Sequence, residues 1–402
     1  MKRLRLSAVG ALAALLAACG GSSAPVSTAA SPSAVPSLAS ASAAGAAAPV
    51  KPSASAAATG APAASAAAAA KPATSGAASA SAAAAASGAS GRVTIKMATQ
   101  ARPDQAALYL SMARGYWAKQ GLDVQVDQID SGAQMVPALS TNQIQVGNGS
   151  PSAALFNALN RNINIRLVAD FAHVGGPTDT TLAILARPDL SAKTMADIKG
   201  KTVALATVKG TIGDVLFVKA AQKDGLKPSD FQTQYLAFPD ILVALGSKKA
   251  DAGELTEPLV TQAVAKKIAT VLYPAGAVIP GAELSVLQFS PQFAAQQPEA
   301  ATKFMIGFLQ GVRDYHDAFF NHQGEDQAIG ELIQRLPVKD PQVWKTAAPA
   351  SVDLNGNINL DDLKSQAQFF QDQGTLQGAI PDIAKYVDTK FAQAAVKQLG
   401  AR

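Results

Sequence analysis

The sequence predicts an α/β protein built from parallel βαβ units and arranged in two lobes. Short stretches in which apolar and polar residues alternate are followed, again and again, by longer stretches with apolar residues at helical spacing. This alternation of strand and helix is typical of parallel sheets covered by crossover helices. The patterned region, residues 92–402, is longer than one hydrophobic core usually organises, so we expect two lobes.

Residues 1–18 have the pattern of a secretion signal. Lys2, Arg3 and Arg5 form a positive start, and the apolar run that follows is shorter than the ~20 residues that a membrane-spanning helix needs. The stretch Leu16-Ala17-Ala18-Cys19 then looks like a bacterial lipobox, whose cysteine is lipidated after cleavage. An ordinary signal peptide is the alternative, but it would leave this single cysteine of the chain as an unpaired thiol in an exported protein. We therefore expect Cys19 to be the lipid attachment site.

Residues 19–91 are expected to form a disordered tether. From residue 20 onward the segment consists almost wholly of Ala, Ser, Gly, Pro and Thr, with no aromatic residue and with Lys51 and Lys71 as its charges. Such a composition buries too little apolar surface to offset the entropy that ordering would cost. A flexible chain of this length would have an end-to-end distance of about 50 Å, which would hold a globular body clear of a membrane.

The elements of the body follow one another in the order that parallel units require. In residues 92–186, assigned to the first part of one lobe, the predicted strands are 93–97, 122–129, 144–147, 165–168 and 181–186. The helices predicted between them are 104–120, 134–141 and 151–160.

The alternation restarts after Asp189 and predicts a second lobe over residues 187–282. Its predicted strands are 202–206, 235–238, 250–253 and 268–272, and its predicted helices are 195–200, 211–224, 240–245 and 257–266. A returning strand at 284–289 and a mostly helical remainder predict that residues 283–402 complete the first lobe.

Five loops at the ends of predicted strands carry small polar residues where a ligand would bind. They are 99–103, 131–134, 148–151, 209–213 and 254–258. In open parallel sheets, ligands bind outside the carboxyl ends of the strands, where the first N–H groups of the following helices are free to donate. Ser, Thr and Gly are also ordinary N-cap residues, so one such loop by itself is weak support. Five loops on the same side of two lobes indicate a binding cleft.

The body carries a series of short motifs, in the order 115–124, 131–134, 138–147, 197–203, 250–253, 257–258 and 353–358. In sequence and in order, these motifs resemble one large family, the periplasmic substrate-binding proteins of ABC importers for nitrate, taurine, aliphatic sulfonates and pyrimidine precursors. The resemblance covers residues 93–388, essentially the whole body. It implies the type II periplasmic-binding-protein fold, in which two crossover strands join two α/β lobes that close on a ligand in a central cleft. The crossover strands would be 182–186 and 284–289.

The resemblance also implies which residues bind the ligand. In the first lobe these are Thr99 and Gln100 in the first loop, Ser131 and Gly132 in the second, and Asn148 and Ser150 in the third. In the second lobe they are Thr211 and Ile212 at the start of a helix, and the carboxylate of Glu257. His173 could line the cleft, and packing within its own loop is an equally good interpretation.

Few residues of this chain suit catalysis or metal binding. One cysteine excludes disulfides within the chain and any multi-cysteine metal site, and only three histidines are present. No Walker or dinucleotide glycine motif occurs. We therefore expect no cofactor, no metal and no enzymatic activity. Two alternatives remain open: an enzyme on the same fold, as in pyrimidine-precursor synthesis, and a solute sensor for a membrane signalling partner.

The charge of the chain favours a small-molecule receptor at the bacterial cell envelope. The formal charge is +5, and loss of the leader would reduce it to +2. Because no basic cluster with interleaved aromatic residues occurs, nucleic acid is not an expected partner. The predicted partners are a small-molecule ligand, ABC permease subunits and the membrane reached through Cys19, and we expect a monomer. Uncharged donors in the loops favour a small organic monoanion over a heteroaromatic amine, which Glu257 would attract.

Overall fold

This computed structural model describes residues 91–99, 103–129, 132–206 and 208–402. These residues form two five-stranded mixed sheets. In chain order, the strands are β1 (Val93–Thr99), β2 (Leu122–Gln128), β3 (Val146–Gly149), β4 (Arg166–His173), β5 (Leu182–Ala186), β6 (Thr202–Ala206), β7 (Gln232–Leu236), β8 (Ala252–Thr256), β9 (Thr270–Pro274) and β10 (Glu283–Phe289). The first sheet has the order β2-β1-β3-β10-β4, and the second has the order β7-β6-β8-β5-β9.

Helices connect and cover these strands. In chain order, the α-helices of the described residues are α1 (Ala106–Ala113), α2 (Tyr116–Lys119), α3 (Gly132–Ser140), α4 (Ala153–Asn160), α5 (Ile212–Lys223), α6 (Phe238–Gly246), α7 (Leu259–Ala265), α8 (Pro291–Gln296), α9 (Pro298–Phe319), α10 (Glu325–Ile333), α11 (Pro341–Thr346), α12 (Leu360–Asp372) and α13 (Lys390–Leu399). Within those same residues, no helix combines the length and the apolar character that crossing a membrane requires.

Both sheets follow one plan. In the first, β1 lies parallel to β2 and β3, and β10 inserts antiparallel between β3 and β4. In the second, β6 lies parallel to β7 and β8, and β5 inserts antiparallel between β8 and β9. We call residues 91–173 and 283–402 the first lobe and residues 182–274 the second lobe. The chain passes between the lobes in two segments, the first crossover (174–181) and the second crossover (275–282).

The crossovers differ from those expected from the sequence, and so does the lobe boundary. Leu182–Ala186 is β5, which pairs along its whole length with β8 and therefore belongs to the second lobe. Residues 284–289 lie inside β10 of the first sheet. The boundary thus precedes Leu182 instead of following Ala186. An apolar strand pattern indicates burial, but it does not indicate which sheet the strand joins, because its partners are distant in sequence.

One helix and one strand also have boundaries that differ from those predicted, for local reasons. The helix predicted at 104–120 is divided into α1 and α2, because Gly115 adopts φ of 65° between them. The strand predicted at 165–168 continues to His173, and the residues from Leu167 to Ala172 are all buried. The longer β4 brings His173 to the point where the chain leaves the first sheet.

Aromatic packing fixes the C-terminal helices on the first sheet. Phe308 of α9 stacks on Phe171 of β4 with ring centroids 5.4 Å apart. Phe391 of α13 contacts Phe289 of β10 edge to face at 5.4 Å. All four rings are buried, and burial of each contributes about 1.5–3 kcal/mol relative to exposure. Residues after β10 therefore belong to the first lobe.

Candidate ligand-binding cleft

The two lobes meet at the carboxyl ends of their parallel strands. The N–H of Ala153, at the start of α4 after β3, donates to the carbonyl oxygen of Gly210 after β6 at 3.1 Å. In a second contact, the N–H of Ala348 in the first lobe lies 3.3 Å from Oε1 of Glu257 after β8. Ligands of open parallel sheets bind at this edge of the strands. We call the loops that surround it the cleft.

A buried network of amides and hydroxyls supports the first-lobe wall of the cleft. The hydroxyl of Thr99 and Nδ2 of Asn148 each donate to Oε1 of Gln105 at 2.7 Å. Nδ2 of Asn148 also lies 3.3 Å from Oγ of Ser285 on β10. Thr99 and Asn148 are 0% and 3% exposed, so their side chains brace the strand ends from within the lobe. Among the described residues, Nε2 of Gln105 and Oδ1 of Asn148 have no partner.

The loop before α4 presents hydroxyl groups at the junction. Ser152 is the N-cap of α4, and its Oγ accepts the N–H of Leu155 at 3.3 Å. Ser150 is half-buried, and its hydroxyl makes no hydrogen bond with any part of the chain that the structure describes. Ser152 therefore caps the helix, and Ser150 lies at the same junction with no side-chain hydrogen bond to the described residues.

The N-terminus of α5 is closed by its own carboxylate. Thr211 is the N-cap, and Ile212 is the first residue of the helix. Oδ2 of Asp214 accepts the N–H groups of Gly210 at 2.6 Å and Thr211 at 3.1 Å, and Oδ1 accepts the hydroxyl of Tyr235 at 2.6 Å. Asp214 therefore occupies donors that an anion would otherwise use and adds a negative charge beside them. This arrangement opposes a ligand of high negative charge.

A second carboxyl group, that of Glu254 on β8, lies against the first turn of α5. It fills the space beside Gly213, where a Cβ atom would overlap the carboxyl oxygens. Its Oε2 accepts the N–H of Ala206 at 3.0 Å, beyond the point where β6 and β8 stop pairing. Burial, assisted by the nearby charge of Asp214, raises the pKa of Glu254 to about 7. This carboxyl group therefore titrates near neutral pH, next to the loop that leads into α5.

Glu257 is surrounded by donors from three parts of the molecule. Its Oε1 accepts the hydroxyl of Thr180 on the first crossover at 3.3 Å and the N–H of Ala348 at 3.3 Å. Thr261 of α7 donates its hydroxyl to Oε1 and its N–H to Oε2, both at 3.0 Å. Burial raises the pKa of Glu257 above its ordinary value, although these hydrogen bonds oppose the rise. Glu257 thus ties the first crossover and both lobes together.

His173 belongs to a carboxylate cluster at the base of the first crossover. Its ring Nδ1 lies 2.9 Å from Oδ2 of Asp170, and its backbone N–H donates to the carbonyl oxygen of Ser351 at 2.9 Å. Burial lowers the pKa of His173, but the hydrogen bond and the charge of Asp170 outweigh it and raise the pKa. On the adjacent strand, burial and the charge of Asp170 raise the pKa of Glu283 to about 10. The side chain of His173 is thus held by Asp170 while 29% of its surface stays exposed.

Two predicted binding residues and the predicted lipidation site lie outside the described residues: Gln100, Ser131 and Cys19. Gly132 is the first residue of α3. Sequence reasoning missed Gln105, Asp214 and Glu254. Glu254 is the first residue of the predicted loop 254–258, and Asp214 directly follows the predicted loop 209–213, but the sequence analysis gave neither carboxyl group a role.

Comparison with known proteins shows the relatives of this chain. A family described as NMT1/THI5 like matches residues 102–318, more than half of the chain. The taurine-binding periplasmic protein of Escherichia coli (strain K12) is 25% identical over 323 residues, which are 75% of this chain and 92% of that protein. A binding protein of Brucella abortus (strain 2308) is 29% identical over 151 residues, which are 38% of this chain. The match covers 44% of the Brucella protein's length, so it spans less than half of that relative.

Solved structures share the architecture described above. The alkanesulfonate-binding protein SsuA from Xanthomonas axonopodis pv. citri, bound to MOPS, aligns with a TM-score of 0.57 at 19% identity. The alignment covers 73% of this chain and 97% of the SsuA chain. Likeness at this identity establishes the fold alone, and it confirms the predicted two-lobed periplasmic-binding-protein fold. On the extent of the family match, this chain belongs to the NMT1/THI5-like family.

Proposed function

We propose that this chain is the extracytoplasmic solute-binding protein of an ABC import system, which captures a small organic solute and delivers it to a permease. One observation carries the proposal. In both lobes, the carboxyl ends of parallel strands and the capped starts of helices converge on one junction. The similarity to the taurine-binding periplasmic protein of Escherichia coli supports a solute of that general kind.

Capture would follow from the way in which the crossovers join the lobes. They run side by side, with hydrogen bonds from the N–H of Val174 to the carbonyl of Ala282 at 2.8 Å and from the N–H of Gly276 to the carbonyl of Asp179 at 3.2 Å. A paired hinge of this kind permits one lobe to swing over a solute that is bound to the other. The closed arrangement gains population only through the additional contacts that it makes with the solute.

We infer that the solute carries a single negative charge. The hydroxyl of Ser150 is available as a donor, whereas Asp214 and Glu254 bring two carboxyl groups to the start of α5. The carboxylate of Asp214 opposes a divalent anion, because like charges repel strongly where water is excluded, and Glu254 adds to this repulsion where it ionises, above its pKa of about 7. The amine alternative depends on Glu257, whose oxygens already accept four hydrogen bonds. A small monoanion therefore suits the cleft better than a cation.

A thermal-shift titration with methanesulfonate, taurine, nitrate, sulfate and 2-aminopyrimidine tests this proposal. We expect a saturable rise of the melting temperature with at least one monovalent oxyanion or taurine, and none with sulfate. Ser150→Ala should weaken that binding about 5-fold, the value of one hydrogen bond of ~1 kcal/mol. Ser365→Ala on the exposed side of α12 is the matched control and should leave the affinity unchanged.

One result would contradict the proposed charge of the solute, and a different result would contradict solute binding itself. Stabilisation by 2-aminopyrimidine alone, with weaker binding in Glu257→Gln, would replace the anion by an amine. Glu299→Gln, an exposed change on α9, controls for loss of a carboxylate. If none of the five solutes, nor a wider set of small organic acids and amines, produced a saturable shift, the solute-binding function itself would be contradicted.

We further propose that a lipid at Cys19 holds the mature chain at the bacterial cell envelope. The lipobox-like stretch at residues 16–19 and the positive, apolar leader before it support the anchor. The composition of residues 20–91 supports a tether between the anchor and the lobes. In this arrangement a monomeric receptor would stay close to its permease while it closes on solute.

A further inference from the structure

Exposed lysines gather at the edge of the second sheet that lies away from the cleft. β6 lies parallel to β7 and β8, and β8 and β9 are both antiparallel to β5, so β6, β7, β8 and β9 all point the same way. The loops that precede these four strands are 199–201, 224–231, 247–251 and 266–269. We call their seven exposed lysines the lysine face: Lys199, Lys201, Lys227, Lys248, Lys249, Lys266 and Lys267.

The loops of the lysine face form one continuous surface. The N–H of Gly200 donates to the carbonyl oxygen of Asp230 at 2.7 Å, and the N–H of Asp251 donates to that of Thr202 at 2.9 Å. The outermost strands of this sheet, β7 and β9, are four strand spacings apart, or about 19 Å. Because the cleft lies at the carboxyl ends of β6 and β8, the lysine face is at the opposite pole of the second lobe.

Most of this positive charge has no ionic partner. Lys199 and Lys248 form salt bridges with Asp230 at 3.1 Å and Asp189 at 3.3 Å, and the other five lysines form none within the described part of the chain. Five aspartates lie in or beside the same loops: Asp189, Asp197, Asp224, Asp230 and Asp251. All of them except Asp189 accept backbone N–H groups. Cations therefore outnumber anions at this pole, and the carboxylates are largely occupied by the loops themselves.

The fold does not require these lysines. The first sheet has the same plan, and the loops before β1, β2, β3 and β4 (91–92, 120–121, 141–145 and 161–165) carry Arg92 and Arg161 as their cations. In the second lobe, Lys248 and Lys267 follow the ends of α6 and α7 with φ of 62° and 55°. Glycine is favoured at such left-handed positions, because it has no Cβ atom to strain them. Lysine stands at both positions although the backbone conformation favours glycine.

We propose that the lysine face docks the second lobe on an anionic phospholipid bilayer and holds the cleft facing away from it. This inference rests on the proposed location at the cell envelope, where the tether would keep the lobes within about 50 Å of the membrane. At that range the lipids have a high local concentration, so several weak contacts suffice. Each lysine near an anionic surface contributes about 5-fold to the affinity.

The side chains around the lysines favour a lipid surface over a nucleic acid. Val243 and Val264, in the last turns of α6 and α7, are 67% and 45% exposed. Exposed apolar groups beside lysines suit the headgroup region of a bilayer. Nucleic acids are usually met by exposed aromatic rings on which bases stack, but the aromatic residue of these four loops, Phe231, is buried.

Co-sedimentation with lipid vesicles tests the docking. The protein is residues 19–402, made without the leader so that Cys19 carries no lipid, and it contains every described residue. We expect saturable binding to phosphatidylcholine vesicles that contain roughly one-third phosphatidylglycerol, and none to phosphatidylcholine alone. Salt at about 0.5 M should abolish the binding, because it screens exposed charges.

Two double variants separate the lysine face from charge in general. Lys249→Gln combined with Lys266→Gln should weaken vesicle binding about 25-fold, the product of two 5-fold losses. Lys96→Gln combined with Lys397→Gln makes the same charge change at exposed lysines of the first lobe and should leave vesicle binding nearly unchanged.

A third double variant tests whether the lysines act through charge or through the fold. Lys248→Gly combined with Lys267→Gly should keep or raise the melting temperature, since glycine suits both left-handed positions. It should still weaken vesicle binding about 5- to 25-fold.

Hydrogen–deuterium exchange with vesicles locates the contact. Protection should concentrate in peptides that cover residues 199–201, 247–251 and 266–269. Protection centred on the cleft loops 149–153 and 256–261 would overturn the proposal, as would equal binding to neutral vesicles or full binding by either second-lobe variant. Binding to heparin or duplex DNA without binding to anionic vesicles would replace the bilayer by another polyanion. Each of these results would leave the solute-binding proposal standing, because no residue of the lysine face belongs to the cleft.

Discussion

At Glu254, a carboxyl group occupies the gap that opens where β6 and β8 diverge. Its pKa is about 7 in the folded chain, against an ordinary value of 4.5. Between those two pH values the folded state binds more protons than the unfolded state, so the free energy of unfolding falls as the pH rises. Glu254→Gln retains an oxygen for the N–H of Ala206 but does not titrate. We expect the variant to match the wild type near pH 5 and to exceed its stability by ~3 kcal/mol at pH 8.

Urea unfolding of both proteins at pH 5, 6, 7 and 8 measures this difference. Glu299→Gln removes a carboxylate that is 83% exposed, and it should leave the pH dependence of the wild type nearly unchanged. Stability curves for Glu254→Gln and the wild type that stay parallel over this range would show that Glu254 is ionised throughout.

The two crossovers are in close backbone contact. A Cβ atom at Gly276 would overlap the carbonyl oxygen of Gly176 on the neighbouring crossover. Gly276→Ala should therefore push the segments apart and lower the free energy of unfolding by ~1–3 kcal/mol, as overpacking of a close contact usually does. We also expect a wider separation of the lobes, measured as a larger radius of gyration by small-angle X-ray scattering.

Gly330 in α10 provides the control for this element. No atom lies within 4 Å of the Cβ position there, and its φ is not in the left-handed region. Because alanine is the better helix former, Gly330→Ala should raise stability by ~0.5–1 kcal/mol. If Gly276→Ala were as stable as Gly330→Ala and left the radius unchanged, the crossovers would not be the tight hinge described above.

For the molecule as a whole, attachment to the envelope would depend on residues far in sequence from the lobes. Cys19→Ser removes the thiol that would receive the lipid. We expect the variant either to appear in the soluble fraction or to retain its leader, as measured by membrane fractionation and by the mass of the chain. Ser22→Ala, three residues further on, should leave both properties unchanged. A Cys19→Ser chain that stays on the membrane with normal processing would disprove the anchor.

The helix starts at the cleft were predictable from local sequence, whereas ligand contacts of the predicted binding residues stay predictions. Thr211, the N-cap of α5, stands in a short polar stretch before a helical pattern, and an N-cap position needs only the few residues that follow it. Asp214 also lies close in sequence to the start of α5, as the third residue of that helix. Its carboxylate accepts the hydroxyl of Tyr235 on β7 as well, and local sequence does not predict that contact, because the two residues are 21 positions apart. Gln105 was not predictable, because its importance depends on Thr99 and Asn148 meeting at one oxygen.

The sequence by itself determined the α/β class, the order of strands and helices, and the family to which the chain belongs. These properties rest on periodicity and short motifs, which neighbouring residues specify. Only the tertiary structure decided that β5 belongs to the second sheet, that His173 contacts Asp170, and that Glu254 lies against the first turn of α5. Sheet membership and buried charge depend on contacts between residues tens of positions apart, which a local pattern does not contain.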